Sequence, residues 1–120
     1  MIVTSFIQRY WLSLSALLLA LITAFSLNPL STLPDAPGSD KIHHLIAYAA
    51  LALPTALRKP KRWRFIGLCF LIYSGLIEII QPRVNRHGEW MDFIANVSGL
   101  FIGVSLAYLM NRLQINQTNQ

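Results

Sequence analysis

Four apolar segments, separated by short polar stretches, occupy most of the chain. They run from Leu12 to Leu27, from Asp40 to Leu57, from Phe65 to Gln81 and from Asp92 to Met110. Each is close to the ~20 residues that a helix needs to cross the hydrocarbon core of a bilayer. The second segment is the least hydrophobic, and we expect Pro54 to kink or end its helix. The pattern predicts four transmembrane helices.

The composition favours a membrane protein over a soluble domain. Of the 120 residues, 54% are hydrophobic and 12% are charged, and the mean hydropathy is +0.47. Soluble domains carry about 25% charged residues, and a soluble fold of this size could not bury so much apolar surface. We therefore predict an all-α membrane protein, a bundle of four transmembrane helices.

The first apolar segment has a second interpretation, a cleaved signal peptide, because Arg9 precedes its apolar core. No convincing small-x-small cleavage site follows it, which favours a retained helix. We divide the chain into residues 1–39, the first transmembrane helix and an outer loop, residues 40–111, a three-helix core, and residues 112–120, a polar tail that we expect to be disordered.

Positively charged residues predict the orientation. With a cytoplasmic N-terminus, seven of the ten Lys and Arg residues lie inside, namely Arg9, Arg58, Lys59, Lys61, Arg62, Arg64 and Arg112. Lys41, Arg83 and Arg86 then lie outside. The positive-inside rule thus predicts a multi-pass protein with both termini cytoplasmic. Because no basic domain accompanies the basic loop, we predict contact with membrane lipids and no binding of nucleic acid.

Polar side chains recur near the outer ends of three predicted helices. Asp40 begins the second helix, Gln81 ends the third and Asp92 begins the fourth. About four residues, or roughly 6 Å, inside these ends lie His44, Glu78 and Asn96. We expect the three helices to bring these groups to one depth. Polar groups in hydrocarbon are costly and are functional-site candidates by default.

We predict that nine polar residues form a ligand-binding pocket in the outer leaflet. They are Asp40, Lys41, His44, Glu78, Gln81, Arg83, Arg86, Asp92 and Asn96. Guanidinium groups bind phosphate through paired hydrogen bonds, so the expected ligand is an anionic lipid headgroup or a lipid-linked cell-wall intermediate. Two structural interpretations stay open: an ion-pair network that only holds the bundle together, and capping of helix N-termini by Asp40 and Asp92.

The sequence leaves open whether this pocket catalyses a reaction. Glu78 and His44 are the candidates for an acid–base pair. Cys69 stands alone within a helix and is interpreted as a packing residue. Histidines and carboxylates could together bind a metal, but no tight ligand spacing such as HExxH occurs. We therefore predict no metal site and no cofactor.

Two rows of small residues at helical spacing lie in the first and fourth segments. They are Ala16, Ala20 and Ala24, and Gly99, Gly103 and Ala107. Such rows let the backbones of membrane helices approach closely. We predict that both rows pack helices together, and either could also join two copies in a homo-oligomer.

Three ordered blocks of residues resemble the VanZ-like family of small bacterial membrane proteins. The blocks are Asp40-Lys41-Ile42-His43-His44 with Tyr48, then Gly75 with Glu78 and Gln81, and then Arg86-x-x-Glu89-x-x-Asp92-x-x-x-Asn96-x-x-Gly99-x-x-x-Gly103. The resemblance covers about Ser39 to Leu106, so residues 40–111 correspond to a VanZ-like core. Glu89 stands where many relatives carry Asp.

The resemblance implies a fold and a place in the cell rather than a reaction. It implies a multi-pass protein of the bacterial cytoplasmic (inner) membrane, in the context of the cell envelope. The family takes its name from a member associated with resistance to the glycopeptide antibiotic teicoplanin. A link to glycopeptide susceptibility is therefore implied, and no molecular activity is.

The predicted orientation can be tested with single cysteines in a Cys69→Ala background. Cysteines at Gly38 and Gly88 should react with a membrane-impermeant thiol reagent in intact cells, after permeabilisation of any outer membrane, because both loops are predicted to lie outside. A cysteine at Pro60 should be protected. Labelling at Pro60 alone would invert the orientation.

Overall fold

The computed structural model describes residues 2–27, 40–84 and 90–120, and all regular structure in these ranges is helical. It comprises α1 (Ile2–Arg9), α2 (Trp11–Leu27), α3 (Asp40–Arg58), α4 (Trp63–Ile80) and α5 (Trp90–Thr118), with a 3-10 turn, Gln81–Val84, after α4. The predicted all-α fold is confirmed. The predicted second, third and fourth helices correspond to α3, α4 and α5.

The N-terminal helix is bent. α1 and α2 meet at an angle of 76°, and α1 was not among the four helices predicted from the sequence. Its two faces have opposite polarity: Ile2 and Phe6 are exposed, whereas the Gln8 amide donates to the carbonyl oxygen of Leu57 at 2.9 Å. The Gln8 side chain therefore attaches α1 to the C-terminal end of α3, and the apolar face of α1 points outward.

Helix α3 lies at the centre of the bundle and contacts the other four helices. Pro54 lies within it and does not end it, so the predicted end at this position does not occur. Membrane helices tolerate proline where neighbouring helices satisfy the freed backbone groups. The helix ends where Lys59 adopts a left-handed conformation, φ 48°, followed by Pro60, which cannot donate a backbone hydrogen bond.

The outer surface of the bundle is apolar. Exposed apolar side chains include Leu17, Leu21, Phe25, Leu68, Ile72, Leu76, Ile79, Phe101, Ile102, Leu106 and Leu109. By length and composition, Trp63–Arg83 and Trp90–Thr118 can each cross a bilayer, and α1 with α2 adds a third span if the bent pair counts as one. These helices indicate a membrane protein. The count of four spans and the orientation of the termini stay predictions.

Helix α5 is longer than predicted. It continues to Thr118, whereas the sequence pattern predicts an end at Met110 and a disordered tail at 112–120. No glycine or proline follows Met110, and the Arg112 guanidinium donates to the Tyr108 hydroxyl one turn earlier. At ~1.5 Å per residue, the 29 residues of α5 form a helix longer than the ~30 Å thickness of the hydrocarbon core. α5 is therefore long enough to extend past the core.

Helices α3 and α5 run parallel and approach closely. A Cβ atom on Gly99 would lie 2.4 Å from the Leu45 carbonyl oxygen, and one on Gly103 would lie 2.4 Å from the Ala49 carbonyl oxygen. Ala107, the next small residue on the same face, is fully buried. We call these three small residues of α5 the glycine seam. It packs within the chain, as predicted.

The two rows of small residues therefore differ in their surroundings. The glycine seam is covered by α3. Ala16, Ala20 and Ala24 are exposed on α2. A homo-oligomer formed through the α2 row stays a prediction.

Basic residues and aromatic rings share the end of the bundle opposite the start of α3. The Lys59 ammonium lies 5.8 Å from the centre of the Trp63 ring, and the Arg112 guanidinium lies 5.8 Å from that of Tyr108. The Asn111 amide, at the same end, donates to the Leu57 carbonyl oxygen at 3.4 Å. Lys41 and Arg83 belong to the other end, where α3 begins and α4 ends.

The glycine seam can be tested with two matched substitutions. Gly103→Ala places a methyl group against the Ala49 backbone, so α3 and α5 must separate, at a cost of roughly 1 to 3 kcal/mol. For Gly67→Ala, no heavy atom of the described residues outside the local helix backbone lies within 4 Å of the new Cβ, and helix propensity favours alanine by about 1 kcal/mol. Thermal unfolding in detergent should show a lowered Tm for Gly103→Ala alone. Equal Tm values would contradict the seam.

Candidate functional site

Four polar side chains from three helices meet where α3 and α5 begin and α4 ends. They are His44, Glu78, Asp92 and Asn96, and each is at most 9% exposed. We call these four residues the polar cluster. The contacts described below join His44, Glu78 and Asn96, as their predicted common depth requires.

Helix periodicity places the polar cluster beside the glycine seam. On α5, Asp92, Asn96 and Gly99 follow at steps of four and three residues, so they lie on one face. On α3, His44 directly precedes Leu45, whose carbonyl oxygen fills the space beside Gly99. The missing side chain at Gly99 therefore lets the backbones come close enough for direct contact between polar side chains of the two helices.

Asn96 bridges His44 and Glu78. The Asn96 amide nitrogen donates to Glu78 Oε1 at 3.5 Å, and Asn96 Oδ1 lies 2.8 Å from His44 Nδ1. Because an amide oxygen can only accept, His44 Nδ1 carries a proton and donates it. The other ring nitrogen, Nε2, lies 3.8 Å from Asp92 Oδ2. Asn96 therefore fixes the orientation of the imidazole ring.

Charged groups surround this bridge. The Lys41 ammonium lies 3.7 Å from Asp92 Oδ1, and its side chain is 46% exposed. His44 Nδ1 lies 3.9 Å from Glu78 Oε1. Asp92 is also in the first turn of α5, where the helix dipole favours a negative charge. The arrangement combines two buried carboxylates, one imidazole and one ammonium group that reaches the surface.

The other predicted site residues lie at the same end but in different surroundings. Gln81 is 1% exposed, and its amide donates to the Ser26 carbonyl oxygen of α2 at 3.2 Å, so it ties α4 to α2. Arg83 is exposed in the 3-10 turn. Asp40 begins α3, but its side chain is outside the described residues, as is the whole of Arg86.

Tyr48 was not among the nine residues predicted to form the ligand-binding pocket. It follows His44 by one turn of α3 and is 1% exposed, and its hydroxyl has no hydrogen-bond partner among the described residues. The spacing of four residues from His44 was the available sequence signal.

Three members of the polar cluster could hold a metal ion. His44, Glu78 and Asp92 each offer one ligand atom, and these atoms lie within 4.8 Å of one another. The prediction of no metal site rested on the absence of closely spaced ligands along the sequence. These three residues come from three different helices, so their grouping does not depend on such spacing. Imidazole and carboxylate groups are common ligands of divalent metals.

An apolar groove lies elsewhere on the bundle. It has a volume of about 410 Å³ between α3, α4 and α5, and residues of its lining include Thr55, Gly67, Phe70 and Val104. Arg64 also lines it, which places the groove toward the end of the bundle where the basic residues lie. Its lining does not include the polar cluster.

The chain matches the model of a known protein family. The model of the VanZ/LLP1 family matches residues 1–111, a range that includes the polar cluster and the glycine seam. No curated protein and no solved structure matches the chain significantly. The resemblance to VanZ-like proteins is confirmed, and the match extends it to α1 and α2. The chain belongs to the VanZ/LLP1 family of membrane proteins.

Proposed function

We propose that this protein binds the phosphate of an anionic lipid, either a membrane phospholipid or a lipid-linked cell-wall intermediate, at the end of the bundle that carries the polar cluster. The observation that carries this proposal is the pair of exposed cations, Lys41 and Arg83, at the end of the bundle that carries the four buried residues of the polar cluster.

The depth of these groups suits a lipid headgroup. Lipid phosphates lie at the bilayer surface, where the ends of membrane-spanning helices also lie. Lys41 is half exposed and held near Asp92, so its ammonium group is positioned at this surface. Arg83 is exposed, and its guanidinium group can bond two phosphate oxygens at once. With the predicted orientation, the site belongs to the outer leaflet.

Buried ionisable groups within an apolar bundle support a functional role. Charged residues within membrane-spanning helices are costly and usually mark a binding site or a pathway. Here they converge from three helices rather than scatter along one. The link to glycopeptide susceptibility stays a prediction.

The lipid site can be tested with two double variants of equal charge. Lys41→Gln with Arg83→Gln removes two cations at the end of the bundle that carries the polar cluster. Lys61→Gln with Arg62→Gln removes two cations at the opposite end. Each cation near a membrane surface contributes about 1 kcal/mol to the binding of anionic lipid, so the first variant should bind roughly thirtyfold more weakly and the control should bind like the wild type.

Two fluorescent probes, phosphatidylglycerol and a polyprenyl pyrophosphate, should be titrated into each purified protein in detergent. Weakening for both probes indicates recognition of phosphate in general, and weakening for the pyrophosphate alone indicates a lipid-linked intermediate. An equal loss in the two double variants would mean that only net charge matters, and the proposal would be wrong.

Acid–base catalysis on such a lipid is the second candidate, favoured by the 3.9 Å separation of His44 Nδ1 and Glu78 Oε1. A substrate or water molecule that contacts both the imidazole and the carboxylate can exchange a proton with them. Glu78→Gln should then abolish release of phosphate from the polyprenyl pyrophosphate while its binding and the Tm are retained. A lowered Tm with no product from the wild type would leave Glu78 a structural role.

A further inference from the structure

We propose that His44, Glu78 and Asp92 bind one divalent transition-metal cation, with Mn²⁺ and Zn²⁺ as the best-suited ions. The site would join α3, α4 and α5, since each helix supplies one ligand. All three side chains are at least nine-tenths buried, so the cation would be enclosed by the bundle.

The donor set selects the type of metal. One imidazole nitrogen with two carboxylates suits Zn²⁺ and Mn²⁺, whereas Ca²⁺ and Mg²⁺ prefer oxygen ligands alone. A soft metal that requires sulfur is disfavoured, because the only cysteine, Cys69, is exposed on α4 and is not among the three ligands.

The distances between the ligand atoms fit a shared cation better than direct ion pairs. His44 Nε2 is 3.8 Å from Asp92 Oδ2, and one ligand atom from each of the three side chains lies within 4.8 Å of the other two. A direct bond between a protonated histidine and a carboxylate closes to about 2.7 to 2.9 Å. Two atoms that are each ~2.1 Å from one metal lie at most ~4.2 Å apart, so small rotations of the side chains bring all three ligand atoms into range.

The hydrogen bond from His44 to Asn96 prepares the ring for metal binding. A histidine that binds a metal almost always donates its other ring N–H to an oxygen, which fixes the tautomer and the direction of the ring. Here Nδ1 donates to Asn96 Oδ1 at 2.8 Å, so in the neutral ring Nε2 presents its lone pair on the side of Asp92. Asn96 also donates to Glu78 and thereby positions a second ligand.

One further buried polar group, the hydroxyl of Tyr48, lies on α3 one helical turn beyond His44. The Tyr48 hydroxyl is buried and has no hydrogen-bond partner in the described parts of the chain. Buried hydroxyl groups are normally hydrogen-bonded. A water molecule bound to the metal would supply a partner for this hydroxyl.

A cation here would also explain how a phosphate could lie near two carboxylates. The carboxylates alone would repel the anion, whereas a divalent ion neutralises them and accepts phosphate oxygens as additional ligands. This role rests on the proposed function. The metal site itself depends only on the three ligands and Asn96.

The experiment uses full-length protein in detergent, without a polyhistidine tag, and Mn²⁺ as the probe. Electron paramagnetic resonance of a titration should give one bound Mn²⁺ per chain, and pulsed measurements should show coupling to a directly bound imidazole nitrogen. His44→Gln and Asp92→Asn should weaken binding at least tenfold. Asn96→Ala should weaken it about ten- to hundredfold, which is typical of lost support for a ligand.

His43→Gln is the matched control, because it makes the same change one residue away, outside the three-ligand group. It should bind Mn²⁺ like the wild type. The proposal is overturned if the wild type binds no Mn²⁺, if bound Mn²⁺ lacks nitrogen coupling, or if the two histidine variants bind equally well. Because the coupling is measured on the wild type, this part of the test does not depend on the folding of any variant.

The phosphate role is read from the lipid titration repeated with Mn²⁺ and with a chelator. Tighter binding of both lipid probes with Mn²⁺ supports a bridging cation. Bound Mn²⁺ without any lipid binding upholds the metal site and rejects the proposed function. Lipid binding with no bound Mn²⁺ rejects the metal site and leaves the proposed function in place.

Discussion

The close contact between α3 and α5 is the constraint on which the site depends. Membrane helices gain little from hydrophobic association, because lipid tails are as apolar as side chains, so packing and polar contacts hold them together. At Gly99 and Gly103 the carbonyl oxygens of α3 occupy the space that a Cβ would fill. This approach brings His44 and Asn96 to 2.8 Å, a distance that larger residues on the seam would prevent.

Helix α4 is attached by a different interaction. Its polar side chains reach the neighbouring helices: Glu78 accepts from Asn96, Tyr73 shares a hydrogen bond with Thr23 of α2, and Gln81 donates to the end of α2. Hydrogen bonds between membrane helices average about 0.6 kcal/mol each. The site is therefore built from one tightly packed pair, α3 and α5, and a third helix, α4, which adds these hydrogen bonds to the apolar packing of Phe70 against Tyr48 and Leu51.

The convergence of the polar side chains from three helices could be predicted from the sequence, because two regularities determine it. Helical spacing fixes which residues share a face, and alternating helix direction fixes which ends meet; together they place His44, Glu78 and Asn96 at one level. The bend before α2 and the extension of α5 were not predicted, since a short helix and a polar helical end resemble loops in composition. The grouping of His44, Glu78 and Asp92 as ligands depends on distances between helices, which spacing along the chain does not encode.

The polar face of α3 shows how structure and function are coupled. α3 is not among the helices apolar enough to qualify as a span on their own, yet it occupies the centre of the bundle, and residues of α4 and α5 surround its buried His44. The polar cluster consequently exists only in the assembled bundle. A change on the glycine seam, two turns away at Gly103, should act on the site by moving α3 relative to α5, with no polar group altered. Loss of ligand binding in such a variant would reflect this displacement, whereas loss on substitution of His44 or Asp92 would reflect the missing ligand.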